Sequence, residues 1–210
     1  MRISRQFVAG AIVGCMVGAT MAGGVGGLAA ARQDRPDPSE AKDNLELSRL
    51  YEQDQADRTP EGGRMIDWEA VSRRDREREA RVKALYEAGE IRTGKGYYRA
   101  AMVLQHAPRP EDYLLAHEFC VVALAKGERD ARWLAAATED RFLMNINRPQ
   151  RFGTQYRSAG PDEPVKLYEV GPGVTDVLRK EMGVPTLAEA REREAKMQEL
   201  SGTKKPSPRP

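Results

Sequence analysis

Two histidines and one aspartate are the residues of this sequence with the clearest potential for chemistry. His106 and His117 are the only histidines of the chain. Asp140 lies on a helix face that is otherwise apolar, and a carboxylate in an apolar stripe is costly unless it is paired. If the helices pack as a bundle, these three side chains can converge, and a histidine held by a carboxylate can act as a general base. One hypothesis is therefore a hydrolase-like enzyme that uses His106 or His117 with Asp140.

A polar loop follows the helix that carries Asp140. Residues 147–156 read NRPQRFGTQY, in which Pro149 cannot continue the helix and Gly153 marks a turn. Such a loop can supply backbone N–H groups, or the amide of Gln155, to a developing oxyanion. The predicted ligand-binding residues are Gln105, Arg141, Gln150, Thr154 and Gln155.

The same polar residues have a second interpretation, as a hydrogen-bonded network that holds the loop on a helical core. Asp140 would then accept hydrogen bonds from loop amides or pair with a loop arginine. Arg141 would pair with Glu118 or Glu139. The sequence favours this structural role over catalysis. Both interpretations predict that Asp140 is buried and hydrogen-bonded.

Helical periodicity and helix-ending residues organise residues 64–200 into a single helical domain. One segment, residues 111–126, is apolar on nearly all sides, which predicts a central, buried helix. The predicted fold class is mainly α, a compact helical domain of about five or six helices with a polar structured loop and a less regular C-terminal part. The predicted helices span residues 68–88, 93–106, 111–126, 131–144, 174–182 and 186–200.

The first 31 residues have the features of a secretory signal peptide. Two arginines precede an apolar, small-residue stretch over residues 7–28, and Ala29-Ala30-Ala31 offers a cleavage site before Arg32. The predicted location is therefore exported, either periplasmic or extracellular. Two alternatives use the same residues: lipidation at Cys15, or an uncleaved membrane anchor through residues 7–31, which is long enough to span a bilayer.

Composition limits the partners of the mature chain. Residues 1–31 contain two arginines and no acidic residue, so their removal leaves 34 − 2 = 32 basic against 32 acidic residues. This balance excludes a general nucleic-acid binder, which needs a basic excess. Membrane contact is expected only if the N-terminal segment is retained or lipidated. Polar, proline-containing residues 32–63 predict a flexible linker, within which a short helix through Leu45, Leu47 and Leu50 is an alternative. Residues 201–210 predict a disordered tail.

A metal site is not predicted, because the histidines and acidic residues have no diagnostic ligand spacing. No cofactor is predicted either. In the mature chain Cys120 stands alone, so an intramolecular disulfide is not possible.

Three short motifs in a fixed order resemble the signature of an uncharacterised bacterial family. They are Gln105-His106, then Asp140-Arg141-x-Leu143-Met144, then Pro149-Gln150-x-Phe152-Gly153-Thr154-Gln155. The family signature reads QH…DR-x-L-M…PQ-x-(Y/F)-GTQ, and a downstream R-x-x-x-G-(V/L) is matched from Arg179 to Val184. The resemblance covers about residues 65–199. It implies a bacterial origin and the position of a site, but no chemistry, since the family has no established activity.

These observations predict an exported helical domain that binds a protein partner or a small-molecule ligand at the DR/GTQ loop. The hydrolase-like enzyme with His106 or His117 and Asp140 is the alternative hypothesis.

The targeting segment leads to a direct prediction. We expect the mature protein to begin near Arg32 and to be found outside the cytoplasm, because residues 1–31 combine basic, apolar and small-residue regions in the signal-peptide order. N-terminal sequencing of the protein from a fractionated culture checks this. An intact Met1 on cytoplasmic protein would contradict it, and lipid on Cys15 would support the lipoprotein alternative.

Overall fold

A computed structural model of the chain describes residues 41–59, 65–160 and 163–202. The fold of this part is mainly α, as the sequence predicts, and it holds seven helices and one two-stranded sheet. The helices are α1 (Leu45–Arg58), α2 (Trp68–Glu87), α3 (Gly94–Leu104), α4 (Pro110–Ala125), α5 (Ala131–Asn145), α6 (Asp176–Glu181) and α7 (Leu187–Gly202). The strands are β1 (Tyr156–Arg157) and β2 (Lys166–Leu167).

Helix α1 lies inside the stretch that the sequence predicts to be a flexible linker. The side chain of Asn44 caps its first turn by accepting the N–H of Leu47 at 2.9 Å. Leu47 is only 1% exposed and belongs to the main hydrophobic core. Helix α1 contacts both α2 and α3. The alternative of a helix through Leu45, Leu47 and Leu50 is therefore correct, and the prediction of a flexible linker is wrong for residues 45–58. The polar face of α1 forms ion pairs with α2, so its low hydrophobicity does not indicate disorder.

Helices α2 to α5 lie where the periodicity predicts them. Asp67 caps α2 by accepting the N–H of Ala70 at 3.0 Å, and Thr93 caps α3 by accepting the N–H of Gly96 at 2.8 Å. Helix α4 begins with Pro110 in its first turn, where the missing proline N–H costs no intrahelical hydrogen bond. These local signals depend on few neighbouring residues, which is why the sequence locates the helices well.

The main core lies between α3, α4 and α5, with contributions from α1 and α2. Helix α4 is less central than its composition predicts. Ala116, Phe119 and Cys120 face the core, but Leu114 and Val121 on the same helix are 41% and 51% exposed. The prediction of a helix buried on all sides is thus wrong, because the described neighbours of α4 cover one side of it.

In the C-terminal third, two short strands and the helices α6 and α7 are joined by irregular chain. Strand β1 pairs antiparallel with β2, and Gln150 forms a single parallel bridge with Val170. A capping box starts the last helix: Thr186 N–H donates to Glu189 Oε2 at 2.7 Å, and Glu189 N–H donates to Thr186 Oγ1 at 3.3 Å. Helix α7 extends to residue 202, two residues into the predicted tail.

Several predictions concern residues outside the described part of the chain. They are the signal peptide, the cleavage site, the lipidation and anchor alternatives, the linker residues 32–40 and 60–63, and the tail from residue 203. Within residues 41–59, 65–160 and 163–202, none of the helices combines the length and the hydropathy that crossing a membrane requires.

The docking of α1 on the core can be measured by two leucine substitutions in the same helix. We expect Leu47→Ala to lower the free energy of unfolding by about 3 kcal/mol, because it leaves a cavity in the core. Leu45→Ala is the matched control: Leu45 is 73% exposed, so its loss should change stability by less than about 0.5 kcal/mol. Urea unfolding followed by circular dichroism measures both, and equal effects would show that α1 is not docked.

Candidate functional site

The Asp140 carboxylate lies at the centre of the polar loop. It is fully buried and accepts four hydrogen bonds, all from loop residues. Oδ1 accepts the backbone N–H groups of Arg151 at 2.7 Å and Phe152 at 2.9 Å. Oδ2 accepts the N–H of Thr154 at 3.0 Å and its hydroxyl at 2.8 Å. The prediction that Asp140 is buried and hydrogen-bonded is confirmed, and its partners are loop amides, as in the structural interpretation.

Arg179 holds the same loop from its carbonyl side. This buried side chain of α6 donates from Nε to the carbonyl oxygen of Phe152 at 3.1 Å and from Nη2 to that of Arg151 at 3.2 Å. It also donates to the carbonyl oxygen of Val174 at 2.8 Å and to Asp176 Oδ1 at 3.1 Å. Arg179 is not among the predicted site residues, although the motif resemblance includes it. We call Asp140, Arg179 and residues 150–155 the loop clamp.

Gln150 closes the loop clamp on itself. Its fully buried side chain accepts the N–H of Gln155 at 2.9 Å and donates to the carbonyl oxygens of Gln155 at 3.0 Å and Tyr168 at 2.8 Å. Gly153 lies within this turn at φ +82°, a left-handed conformation that glycine adopts without a steric cost. The side chain of Gln150 therefore makes the backbone hydrogen bonds that a neighbouring strand would otherwise make, to Gln155 and to Tyr168.

Three of the predicted ligand-binding residues are engaged inside the loop clamp. Gln150 and Thr154 make the hydrogen bonds described above, and Gln155 donates from Nε2 to Thr154 Oγ1 at 2.8 Å and to the carbonyl oxygen of Ala137 at 3.4 Å. Gln150 and Gln155 are buried. Their contacts are those of residues that give the loop its shape.

His106 lies beside an aspartate, but this aspartate is Asp54 of α1. The distance from His106 Nε2 to Asp54 Oδ2 is 3.7 Å, and Asp54 is fully buried. The predicted convergence of His106 with Asp140 is therefore not formed. The physical reason is the docking of α1, which brings its own carboxylate to the C-terminal end of α3.

His117 is engaged with the backbone of α5. Its Nδ1–H donates to the carbonyl oxygen of Ala135 at 2.9 Å, since a carbonyl can only accept. All four hydrogen bonds of Asp140 come from the loop, so His117 is not its partner either. The structure thus pairs neither imidazole with Asp140, and the predicted histidine–Asp140 pairs are wrong.

Asp54 belongs to a network of ion pairs that joins α1 to α2. Arg58 lies 2.8 Å from both Asp54 and Asp75, Arg74 lies 2.8 Å from Asp57, and Arg78 lies 2.8 Å from Asp57 and 2.5 Å from Asp75. Three arginines and three aspartates therefore balance one another. Because Arg78 and Asp54 are buried, removing one partner would leave an uncompensated charge in the interior. We call these six residues the α1–α2 network.

Burial shifts the pKa values of His106 and Asp54 in opposite directions. It lowers the pKa of His106 to about 3, with Arg58 and Arg141 lowering it further by their charge. It raises the pKa of Asp54 to about 6, against the opposing effect of Arg58. At neutral pH the imidazole is uncharged, and a base with so low a pKa is a weak acceptor of protons.

Arg141 is half-buried, and it differs from the buried Arg78 and Arg179 in that its only hydrogen-bond partner among the described residues is a neutral side chain. Its Nη1 donates to Oε1 of Gln105, whose side chain is buried. Neither predicted carboxylate pairs with it: Glu118 is exposed, and Glu139 lies 3.1 Å from Arg151 instead. No carboxylate of the described residues lies within ion-pair distance of Arg141. Burial consequently lowers the pKa of Arg141, and the nearby charge of Arg58 lowers it further.

The surroundings of Arg141 are formed by the ends of four helices. Gln105 and His106 follow α3, Tyr113 lies in the first turns of α4, and Arg58 ends α1. Tyr113 and Arg58 are close enough to Arg141 to shift its pKa, in opposite directions. We call Arg141, Gln105, His106 and Tyr113 the Arg141 site. It contains two of the five predicted ligand-binding residues and one predicted catalytic histidine.

Comparison with protein-family models, curated proteins and solved structures found no match to the chain. The resemblance to an uncharacterised bacterial family therefore stays a prediction from the motifs. Across the described ranges, no group of three or more histidine, cysteine, aspartate or glutamate side chains is arranged to hold a metal ion. What can be inferred about a site comes from the contacts of its side chains.

The role of Asp140 can be tested by an isosteric change. We expect Asp140→Asn to lower the free energy of unfolding by at least about 3 kcal/mol, because an amide nitrogen replaces one acceptor and strands buried donors. The matched control is the neighbouring Glu139→Gln, which removes a partly exposed ion pair with Arg151 and should cost less than about 1 kcal/mol. Equal losses in chemical denaturation would show that the loop does not depend on Asp140.

The pair of Asp54 and His106 predicts opposite pH dependences for two variants. Between about pH 4 and 6 the unfolded chain carries its proton on His106, whose ordinary pKa is 6.5, and the folded protein carries one on Asp54. The two states bind equal numbers of protons, so the pair contributes little pH dependence.

In Asp54→Asn the folded state loses its proton, so stability should fall as the pH drops from about 6.5. In His106→Gln the folded state still protonates Asp54, so stability should fall as the pH rises from about 4 to 6. Urea unfolding at pH 4.5 and pH 7 measures both slopes. Identical slopes in the wild type and in both variants would show that these groups are not linked to folding.

Proposed function

We propose that this chain is an exported helical domain that binds a ligand, either a small molecule or a group on a protein partner, at the Arg141 site beside the DR/GTQ loop. The loop clamp shapes the domain, and the Arg141 site makes the binding contacts. Within the predicted set of ligand-binding residues, this assigns binding to Gln105 and Arg141 and assigns structure to Gln150, Thr154 and Gln155.

The proposal depends on the different contacts of two adjacent residues, Asp140 and Arg141. Consecutive residues of an α-helix project about 100° apart, so Asp140 and Arg141 serve different neighbours. The Asp140 carboxylate is saturated by the loop, whereas the Arg141 guanidinium has one neutral partner, Gln105. A half-buried cation without a counter-charge loses part of its hydration without gaining an ion pair, and groups held at such a cost are typical of functional sites.

The hydrolase-like alternative has less support. It needs an imidazole next to a carboxylate and a pKa near the working pH. Asp140 has four loop donors and no histidine partner, and the histidine that does lie near a carboxylate, His106, has its pKa lowered to about 3. A general base at this position would be a poor proton acceptor at neutral pH.

Export of the domain is supported by the N-terminal segment alone. Its arginines, apolar stretch and Ala29-Ala30-Ala31 have the order of a signal peptide. The balanced charge of the mature chain agrees with a ligand other than nucleic acid. The N-terminal sequencing described above tests this part of the proposal independently of the Arg141 site.

Arg141→Gln and Arg148→Gln form a matched pair of variants for the binding proposal. Both remove one arginine charge near the end of α5, but Arg148 is exposed and its side chain has no partner among the described residues. In Arg141→Gln we expect a melting temperature equal to or above that of the wild type, because an uncompensated, half-buried charge is removed.

A thermal-shift screen of chemically diverse small molecules against protein expressed from the full-length sequence then provides the functional readout. Compounds that raise the melting temperature of the wild type should fail to do so in Arg141→Gln and should still act on Arg148→Gln. A large loss of stability in Arg141→Gln, comparable to that of Asp140→Asn, would identify Arg141 as a structural residue and contradict the proposal.

A further inference from the structure

We infer that the Arg141 site binds an anionic group, a carboxylate or a phosphoryl group of the ligand, with the Arg141 guanidinium as its main contact. This inference rests on the proposed function and adds the chemical class of the ligand. It follows from the charges near Arg141, from its unused donors and from its neighbours.

The charges near Arg141 do not cancel. Arg58, whose charge acts on Arg141, is neutralised within the α1–α2 network by Asp54 and Asp75, both 2.8 Å away. His106 is uncharged at neutral pH, because burial and the neighbouring arginines lower its pKa. Arg141 therefore remains as a positive charge without a counter-charge among the described residues. An anion at this place would supply the missing charge.

The donors of Arg141 are mostly unused by the protein. A guanidinium carries five N–H donors, and in the described structure the side chain of Arg141 makes one hydrogen bond, from Nη1 to Gln105. The remaining donors keep the planar fork geometry that matches two oxygens of a carboxylate or phosphate. None of these donor atoms is fully enclosed by the protein, so solvent reaches them.

The neighbours of Arg141 add neutral donors. Gln105 Nε2 donates to the sulfur of Met102 at 3.3 Å, a weak acceptor that an anion oxygen can replace. Tyr113 is half-buried, and burial raises the pKa of its hydroxyl, which therefore stays protonated and able to donate. Together these groups can surround an anion without bringing a competing negative charge.

Two surface grooves elsewhere do not have this character. The groove of about 590 Å³ on α7 is lined by Lys180, Arg193 and Lys196, but also by Glu189 and Glu192. The groove beside the β-hairpin, residues 157–169, likewise mixes both signs of charge. Acidic side chains line both grooves, so an anion in either groove would also meet negative charge.

The test uses small anions as probes on protein expressed from the full-length sequence. Sulfate, phosphate, acetate and succinate are titrated at constant ionic strength, with sodium chloride as the compensating salt, and the melting temperature is recorded. In the wild type at least one probe should give a saturable rise. In Arg141→Gln the apparent affinity should fall about tenfold or more, the loss expected for a charge-assisted hydrogen bond.

The variants separate a bound anion from a general salt effect. Sulfate and phosphate stabilise most proteins by exclusion from their surface, and this contribution should be the same in Arg141→Gln. Arg148→Gln should bind like the wild type. Arg141→Lys, which keeps the charge but loses the fork, should bind more weakly than the wild type, and it replaces Arg141→Gln if that variant does not fold.

Each outcome has a defined meaning. Arg141-dependent binding of sulfate and phosphate identifies a phosphoryl group as the ligand class, and Arg141-dependent binding of acetate or succinate identifies a carboxylate. Equal responses of wild type and Arg141→Gln to all four probes, or an equal loss in Arg148→Gln, overturn the inference. If the compound screen yields a neutral ligand that requires Arg141, the proposed function stands and the anionic class is wrong.

Discussion

The irregular C-terminal third depends on two buried side chains of opposite charge that bind the two polar sides of one loop. Asp140 accepts the loop N–H groups, and Arg179 donates to the loop carbonyl oxygens. Without these partners the backbone of residues 151–154, which is buried at Phe152 and Gly153, would lack hydrogen bonds, a large cost in an apolar interior. The loop path then places Phe152 in a small core with Ala136, Val174 and Val184. One carboxylate thereby connects the helical core to the chain that follows it.

The Arg141 site exists because α5 serves two neighbours at once. The side of the helix that carries Asp140 meets the loop clamp, and Arg141 meets the ends of α3 and α1. The loop clamp needs Asp140 for its hydrogen bonds, but no described contact requires the charge of Arg141, since Gln105 is neutral. Stability of the fold therefore accounts for Asp140, whereas the described contacts of Arg141 give no structural reason for its charge.

Some features of the fold can be predicted from the sequence because they depend on local physical rules. Asp140 was identified as a paired, buried group, since an unpaired carboxylate among apolar residues is too costly to occur. The caps at Asp67, Thr93 and Thr186 also depend on residues only three positions apart. The partners of Asp140 were less accessible: loop amides, a loop arginine and two histidines were all compatible with the sequence. Arg179 was missed as a site residue because it lies 39 positions from Asp140 (179 − 140) and no periodicity connects them.

The sequence by itself determined the mainly α class, the positions of α2 to α5, the last helix and the existence of a polar structured loop after Asp140. The reason is that helix periodicity, caps and the cost of a buried charge act over a few residues. Only the tertiary structure decided that α1 is part of the fold, that His106 faces Asp54, and that Arg141 has Gln105 as its partner. These are contacts between residues 36 to 52 positions apart (141 − 105 and 106 − 54). Polar side chains such as those of α1 have many possible partners, and the choice among them follows from how the helices pack.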